Sequence, residues 1–175
     1  MNKLIIGIII AVIALGGVIW IARPASPDLQ RGKPSAQGAG GPLRVEGESS
    51  YDFGNISMAA GKVSRQFKIK NTGSEAVVIN KMYTSCMCTT ALLMMGNTAS
   101  SSGELKQFGP FGMPGHGAIP SIDQQIGSNE EATVEVTFDP AAHGPAGVGR
   151  IQRTVTIEND AGSPIELSFS ARVTP

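Results

Sequence analysis

Apolar side chains recur at every second position in one segment after another, and that period leaves the chain little choice but sheet. Val63, Phe67 and Ile69 fall on one side of an extended segment, with Ser64, Gln66, Lys68 and Lys70 on the other. Thr133 to Phe138 repeats the pattern, placing Val134, Val136 and Phe138 inward and Glu135 and Thr137 outward. Ile151, Val155 and Ile157 continue it, and Ile165, Leu167, Phe169 and Ala171 close the chain. Turn signals at Asn71-Thr72-Gly73-Ser74 and Asn159-Asp160-Ala161-Gly162 separate these runs, and the β-branched stretch Ala76 to Tyr83 supplies another strand. A short strand at Tyr51 to Phe53 and one after Cys88 bring the total to about seven. No stretch beyond the amino-terminal segment carries a helical apolar stripe of useful length. The expected fold is all-β, an antiparallel β-sandwich.

The amino terminus obeys a different rule. Leu4 to Ala22 is an uncharged run of 19 residues between Lys3 and Arg23. As a helix it would be about 28 Å long, close to the thickness of the hydrocarbon layer. Trp20 suits the interfacial aromatic belt. Cleavage as a signal peptide is the rival reading. A cut after Gly16 would leave Val18-Ile19-Trp20-Ile21 on the mature end, and a cut after Ala22 puts bulky Trp20 where a small residue belongs. Residues 1–23 are therefore expected to form an uncleaved single-pass membrane anchor, with the rest of the chain outside the cytoplasm, periplasmic or at the cell surface. The charges flanking the run do not themselves favour that orientation. The short tail and signal-like layout do.

Residues 24–42, rich in Pro, Gly, Ala and Ser, cannot bury enough surface to offset their ordering entropy and read as a flexible linker. Residues 43–175 are long enough for one domain with a sizeable core. The chain carries 14 basic and 14 acidic residues, and without a basic patch it is not expected to bind nucleic acid. Only 5% of residues are aromatic, too few for a stacking platform. A Gly-, Ser- and Pro-rich stretch at 93–129 reads as a long insertion that could fold back over one end of the sandwich.

The only two cysteines form the sequence Ser85-Cys86-Met87-Cys88-Thr89, where a strand ends. Two thiols one residue apart can chelate a soft metal, close a small disulfide ring or fill a buried corner. Thiolate and thioether donors select Cu(I), and Met113 and His116 in the insertion, with Met94 and Met95 as further candidates, would complete such a site. In an oxidising compartment a Cys86–Cys88 disulfide is the alternative, and its tight ring should make it easily reduced. His143, within Pro140-Ala-Ala-His-Gly-Pro145, reads as a loop residue and a weaker ligand.

Tyr51-Asp-Phe-Gly54, Val63…Phe67…Ile69 with Asn71-Thr-Gly73, Val77…Ile79, Ser85-Cys-Met-Cys-Thr89 and Val134-Glu-Val-Thr-Phe-Asp139 stand in the order of a known bacterial family. Over roughly Glu48 to Val173 the chain resembles domain of unknown function 1573, an immunoglobulin-like module similar to Hydin and PapD-like sandwiches. The resemblance implies an immunoglobulin-like sandwich and an exported location, and it supplies no activity. Two departures are Met87, where the family usually has Gly between the cysteines, and the long insertion.

Catalysis has little support: there is no Gly-x-Ser-x-Gly, no phosphate-cradling loop and no His-Glu-x-x-His. The expectation is a membrane-tethered, non-catalytic binding or assembly module with an unidentified protein partner. The alternative is a copper-handling protein that uses the Cys-x-Cys cluster for Cu(I).

Overall fold

The computed structural model describes residues 41–96 and 105–175. Ten strands run in chain order: β1 Leu43–Glu46, β2 Ser50–Ser57, β3 Val63–Asn71, β4 Val77–Thr84, β5 Thr89–Gly96, β6 Leu105–Phe111, β7 Gln124–Ile126, β8 Glu131–Phe138, β9 Gly149–Asn159 and β10 Ile165–Thr174. They form two five-stranded sheets, ordered β1-β3-β8-β5-β6 and β2-β10-β9-β4-β7. Only β5–β6 and β9–β10 are consecutive strands paired within one sheet. Every other connection crosses from one sheet to the other, so the two layers are tied together along their whole length.

The alternating residues fill the space between the sheets, as the period of two requires. Ile69, Ile79, Met82, Leu93, Val134, Val136, Val155 and Ile157 are wholly buried. Phe67, Phe138, Phe169 and Ala171 join them at a few per cent exposure, each on the face read from the sequence. Phe169 stacks on Phe53 and on Phe138, with ring centroids 5.4 Å apart in each case. Tyr51 extends this aromatic row and carries the Arg65 guanidinium 4.3 Å above its ring, which closes one side of the sandwich between β2 and β3.

Three expectations need correction. The strands number ten rather than about seven, because β1, β6 and β7 are short or lack apolar alternation. One pair, β2 with β10, is parallel, so the sandwich is not purely antiparallel. The region expected to be a structureless insertion is partly sheet: β5 continues to Gly96, β6 pairs with it through Leu93↔Phe108 and Met95↔Lys106, and β7 pairs with β4 through Val77↔Ile126. Pro110 is accommodated in β6 because that strand is an edge, where a missing N–H costs no ladder bond.

The expected anchor at 1–23 and the linker at 24–42 lie outside the described residues, except for Gly41 and Pro42. Among the described residues no helix is long and apolar enough to cross a membrane.

Candidate functional site

The cysteine pair lies on the turn by which the chain leaves one sheet for the other. β4 ends at Thr84, residues 85–88 form the turn, and β5 begins at Thr89 in the opposite sheet. The buried Thr84 hydroxyl lies 3.0 Å from the carbonyls of both Cys86 and Thr89 and donates between them. The Thr89 N–H donates to the Cys86 carbonyl at 3.1 Å. Ser85 fixes the turn to β9: its N–H donates to the Thr154 carbonyl, and its hydroxyl oxygen accepts from the Thr154 N–H, both at 2.9 Å. Such a turn brings the Cα atoms of Cys86 and Cys88 to 5.3 Å, inside the range a disulfide needs. The two residues are joined as a disulfide, and there is no free cysteine. This is the alternative that the sequence left open beside a metal site, and the turn supplies the geometry it needs.

Each sulfur has its own polar neighbour. The Cys86 Sγ lies 3.2 Å from Nε2 of His143, and the Cys88 Sγ accepts from the Arg153 Nε at 3.3 Å. The Arg153 Nη1 donates to the Gln152 carbonyl at 2.8 Å, so the guanidinium is held from both sides. Arg153 reaches the sulfur because it occupies an inward position of β9, in series with Ile151, Val155 and Ile157.

His143 sits in the loop after β8, which is tied to the cysteine turn at its root. The Asp139 N–H donates to the Cys88 carbonyl at 2.8 Å. The Asp139 carboxylate then accepts from the Ala141 N–H, and the Gly144 N–H bonds back to Ala141. Gly144 has φ +56°, the left-handed turn that glycine adopts without penalty. A Cβ on Gly147 would lie 3.2 Å from the His143 Cβ, so glycine there lets the following 3-10 turn, Gly144–Gly147, pack close to the imidazole stem.

The ligand set read from the sequence is rearranged. Among the described residues the cluster that could hold a metal ion is Cys86, Cys88 and His143, whose donor atoms all lie within 4.8 Å of one another. His116 is not part of it. His116 and Met113 line a separate groove with Met87, the outward-pointing residue between the cysteines. Met94 and Met95 lie in the β5 ladder, six and seven residues beyond Cys88. At the rise of a strand that is roughly 20 Å away, out of reach of the sulfurs. Reduced, two thiolates and an imidazole suit a soft cation; oxidised, the pair is a disulfide between an imidazole and a guanidinium.

Sequence reasoning missed Arg153 and ranked His143 too low. An arginine at an inward position of an otherwise apolar series was a readable signal. Nothing in the sequence tied His143 to a turn more than fifty residues earlier.

Three solved structures are similar to this chain to differing degrees. A PapD-like domain of human CEP192 aligns at 13% identity over 76% of this chain and 85% of that one, with a TM-score of 0.45. The YadV chaperone aligns at 9% identity over 77% of this chain and 53% of that one, with a TM-score of 0.45. A protein of unknown function from Porphyromonas gingivalis W83 aligns at 11% identity over 75% of this chain, with a TM-score of 0.51, and the chain spans only 46% of its length. At such identities the likeness concerns the sandwich fold alone. Comparison with curated proteins gives no match. Residues 44–104, which include β2 to β5, most of β1 and both cysteines, match the model of the family described as "Protein of unknown function (DUF1573)", in agreement with the resemblance read from the sequence.

Proposed function

We propose that this chain is a membrane-tethered, extracytoplasmic β-sandwich that acts as a binding module for an acidic segment of a partner protein. The observation that carries the binding reading lies on the outer face of the β2-β10-β9 sheet. Arg150 and Arg172 are exposed and directly opposite one another in the ladder. Among the described residues neither makes an ion pair. Like charges facing each other across strands are destabilising, and a bound carboxylate relieves the repulsion. The two arginines line a groove of about 400 Å³ together with Asp52, Asn55, Gln152 and Ser170. The uncharged run at Leu4 to Ala22 supports the tether.

A photo-crosslinker at Gln152 tests the groove in cells. The expected result is a crosslinked partner that disappears when Arg150 and Arg172 are both changed to Ser. No more crosslinking than from a probe at Gln66, on the other sheet, would overturn the assignment. A reporter fused after Pro175 should be active only outside the cytoplasm, with Lys3 retained in the mature chain. Recovery of a chain beginning at Gly17 would remove the tether.

A second reading, Cu(I) binding, is favoured by one observation: Cys86, Cys88 and His143 converge within 4.8 Å. Thiolate and imidazole donors in a three-coordinate arrangement suit that ion once the disulfide is reduced. Competition with a Cu(I) chelator under anaerobic, reducing conditions tests it. The native chain should withhold copper and the double Cys86→Ser, Cys88→Ser variant should not; equal loss of copper from both ends this reading.

A further inference from the structure

We infer that Cys86–Cys88 is a reversible redox pair that exchanges with a dithiol partner, with Cys86 as the sulfur attacked and Cys88 as the sulfur that leaves. Three features of the site point to this division of labour; the groove beside it shares Arg150 and Gln152 with the outer face, whereas His143 and Arg153 do not line the outer-face groove.

The first is access. Cys86 is 9% exposed and Cys88 only 3%, so an incoming thiolate meets Cys86 first. A groove of about 430 Å³ is lined by His143, Gly147, Val148, Arg150, Gln152 and Arg153, and neither cysteine is part of its wall. It includes both residues that touch the sulfurs. Val148 lies in its wall with 44% of its surface exposed, an apolar contact for an extended partner segment.

The second is charge. Exchange proceeds when a thiolate attacks one sulfur and expels the other as a thiolate, and it is faster the better the leaving sulfur is stabilised. Arg153 places a permanent positive charge and an aimed N–H 3.3 Å from the Cys88 Sγ. The neighbour of Cys86 is instead the His143 imidazole, 3.2 Å away, and no arginine or lysine contact to Cys86 is present among the described residues. The asymmetry selects Cys88 as the leaving group.

The third is restraint. The turn is held by Thr84, Ser85 and Asp139 through bonds that do not involve either sulfur. Cys86 and Cys88 therefore stay adjacent after reduction, and the disulfide can re-form without refolding.

The chemistry balances as follows. A partner thiolate attacks the Cys86 Sγ, a bond forms between those two sulfurs, and the Cys86–Cys88 bond breaks with its electron pair going to Cys88. The Cys88 thiolate accepts from Arg153. The partner's second thiol loses its proton to solvent and attacks the partner's first sulfur. Cys86 then leaves as a thiolate beside His143. Two electrons have passed from the partner dithiol, which becomes a disulfide, to this pair, and the reverse sequence oxidises it again.

The test uses the full chain in detergent, dithiothreitol as the dithiol and gel-shift alkylation of free thiols as the readout. The native chain should be reduced without denaturant and should recover its disulfide when oxidised dithiothreitol is supplied. Arg153→Gln should slow reduction about tenfold, the scale of losing a hydrogen bond to a charged group, and Arg153→Lys should restore part of the rate. Cys88→Ser leaves Cys86 as a thiol that forms a mixed disulfide with an aromatic disulfide reagent. Cys86→Ser should do so at least about tenfold more slowly because Cys88 is buried. Circular dichroism confirms that each variant is folded. A disulfide that yields only in urea would show a purely structural bridge. Equal trapping by the two serine variants, or an Arg153→Gln chain reduced at the native rate, would overturn the assigned roles.

Discussion

Changing Asn71 to Ala should remove about 3 kcal/mol of stability, more than any other single polar truncation in the described structure. Asn71 ends β3 in one sheet and is wholly buried. Its Nδ2 donates one hydrogen to the Glu75 carbonyl at 2.7 Å and the other to the Ile126 carbonyl at 3.0 Å, at the end of β7 in the opposite sheet. Its Oδ1 accepts from the Gly73 N–H at 2.9 Å. Every side-chain hydrogen is used, and the amide ties the two sheets together across the turn. Three bonds at about 1 kcal/mol each give the estimate, and the buried Ile126 carbonyl left without this donor makes it a lower bound. For an ordered region of this size that is a fall in Tm of about 10 °C. Asn71→Asp should be worse still, since it sets a carboxylate oxygen against two carbonyls at a buried position. The assay is urea unfolding followed by far-ultraviolet circular dichroism. Gln66→Ala is the reference: that side chain bonds only to Glu135 on an exposed face and should cost under about 0.5 kcal/mol. An Asn71→Ala chain within about 0.5 kcal/mol of native, with an unchanged denaturant slope, would refute the reasoning.

Phe169→Ala should cost about 3–5 kcal/mol in the same assay, since Phe169 is 2% exposed and packs against both Phe53 and Phe138, whereas Glu135→Ala should stay under about 0.5 kcal/mol. Equal costs would mean a register slipped by one residue. Burial first, and then the hydrogen bond to Glu158, raise the Tyr83 phenol above its ordinary 10.0. The unfolded chain therefore ionises first, so the stability this group contributes is complete below about pH 10 and is lost as pH rises through the raised folded value. Phenolate absorbance, taken as the difference from a Tyr83→Phe chain, should appear later in the folded protein than in urea; coincident curves would contradict this. If Cu(I) binds, His143→Gln should weaken it at least about tenfold and His116→Gln should leave it unchanged, because only His143 lies with the sulfurs.

Much of the sandwich was legible in advance because a half-buried strand declares itself by a period of two. β3, β8 and β10 were readable over most of their length, and of the residues read as inward there all but the half-buried Val63 are buried. β6 was not. Leu105-Lys-Gln-Phe-Gly-Pro-Phe111 has no alternation and contains Gly and Pro, yet as an edge strand it needs only one partner, and β5 supplies it. β7 has three residues, too few for any periodicity, and exists because β4 offers an open edge. In both cases the tertiary setting makes the strand and local preference does not. The same cause hid the parallel pairing of β2 with β10, a relation between residues more than a hundred apart.

The site divides along the same line. Cys86 and Cys88 were visible as a pair because they are neighbours in sequence. The groups that decide their chemistry arrive from β9 and from the loop after β8, and proximity of that kind is a product of topology. Met113 and His116 had the better donor chemistry on paper, but the loop that carries them meets the turn on the side of Met87. Arg153 was the one distant participant with a local signature. Between Ile151 and Val155, on the face that faces the core, a half-buried arginine needs a partner able to accept from its guanidinium. With no carboxylate on that strand face, the acceptors it finds are the Cys88 sulfur and a backbone carbonyl. An inward arginine on an alternating strand therefore constrains the site as strongly as the cysteines do: it fixes which sulfur carries negative charge most readily, and with it the direction in which the pair opens.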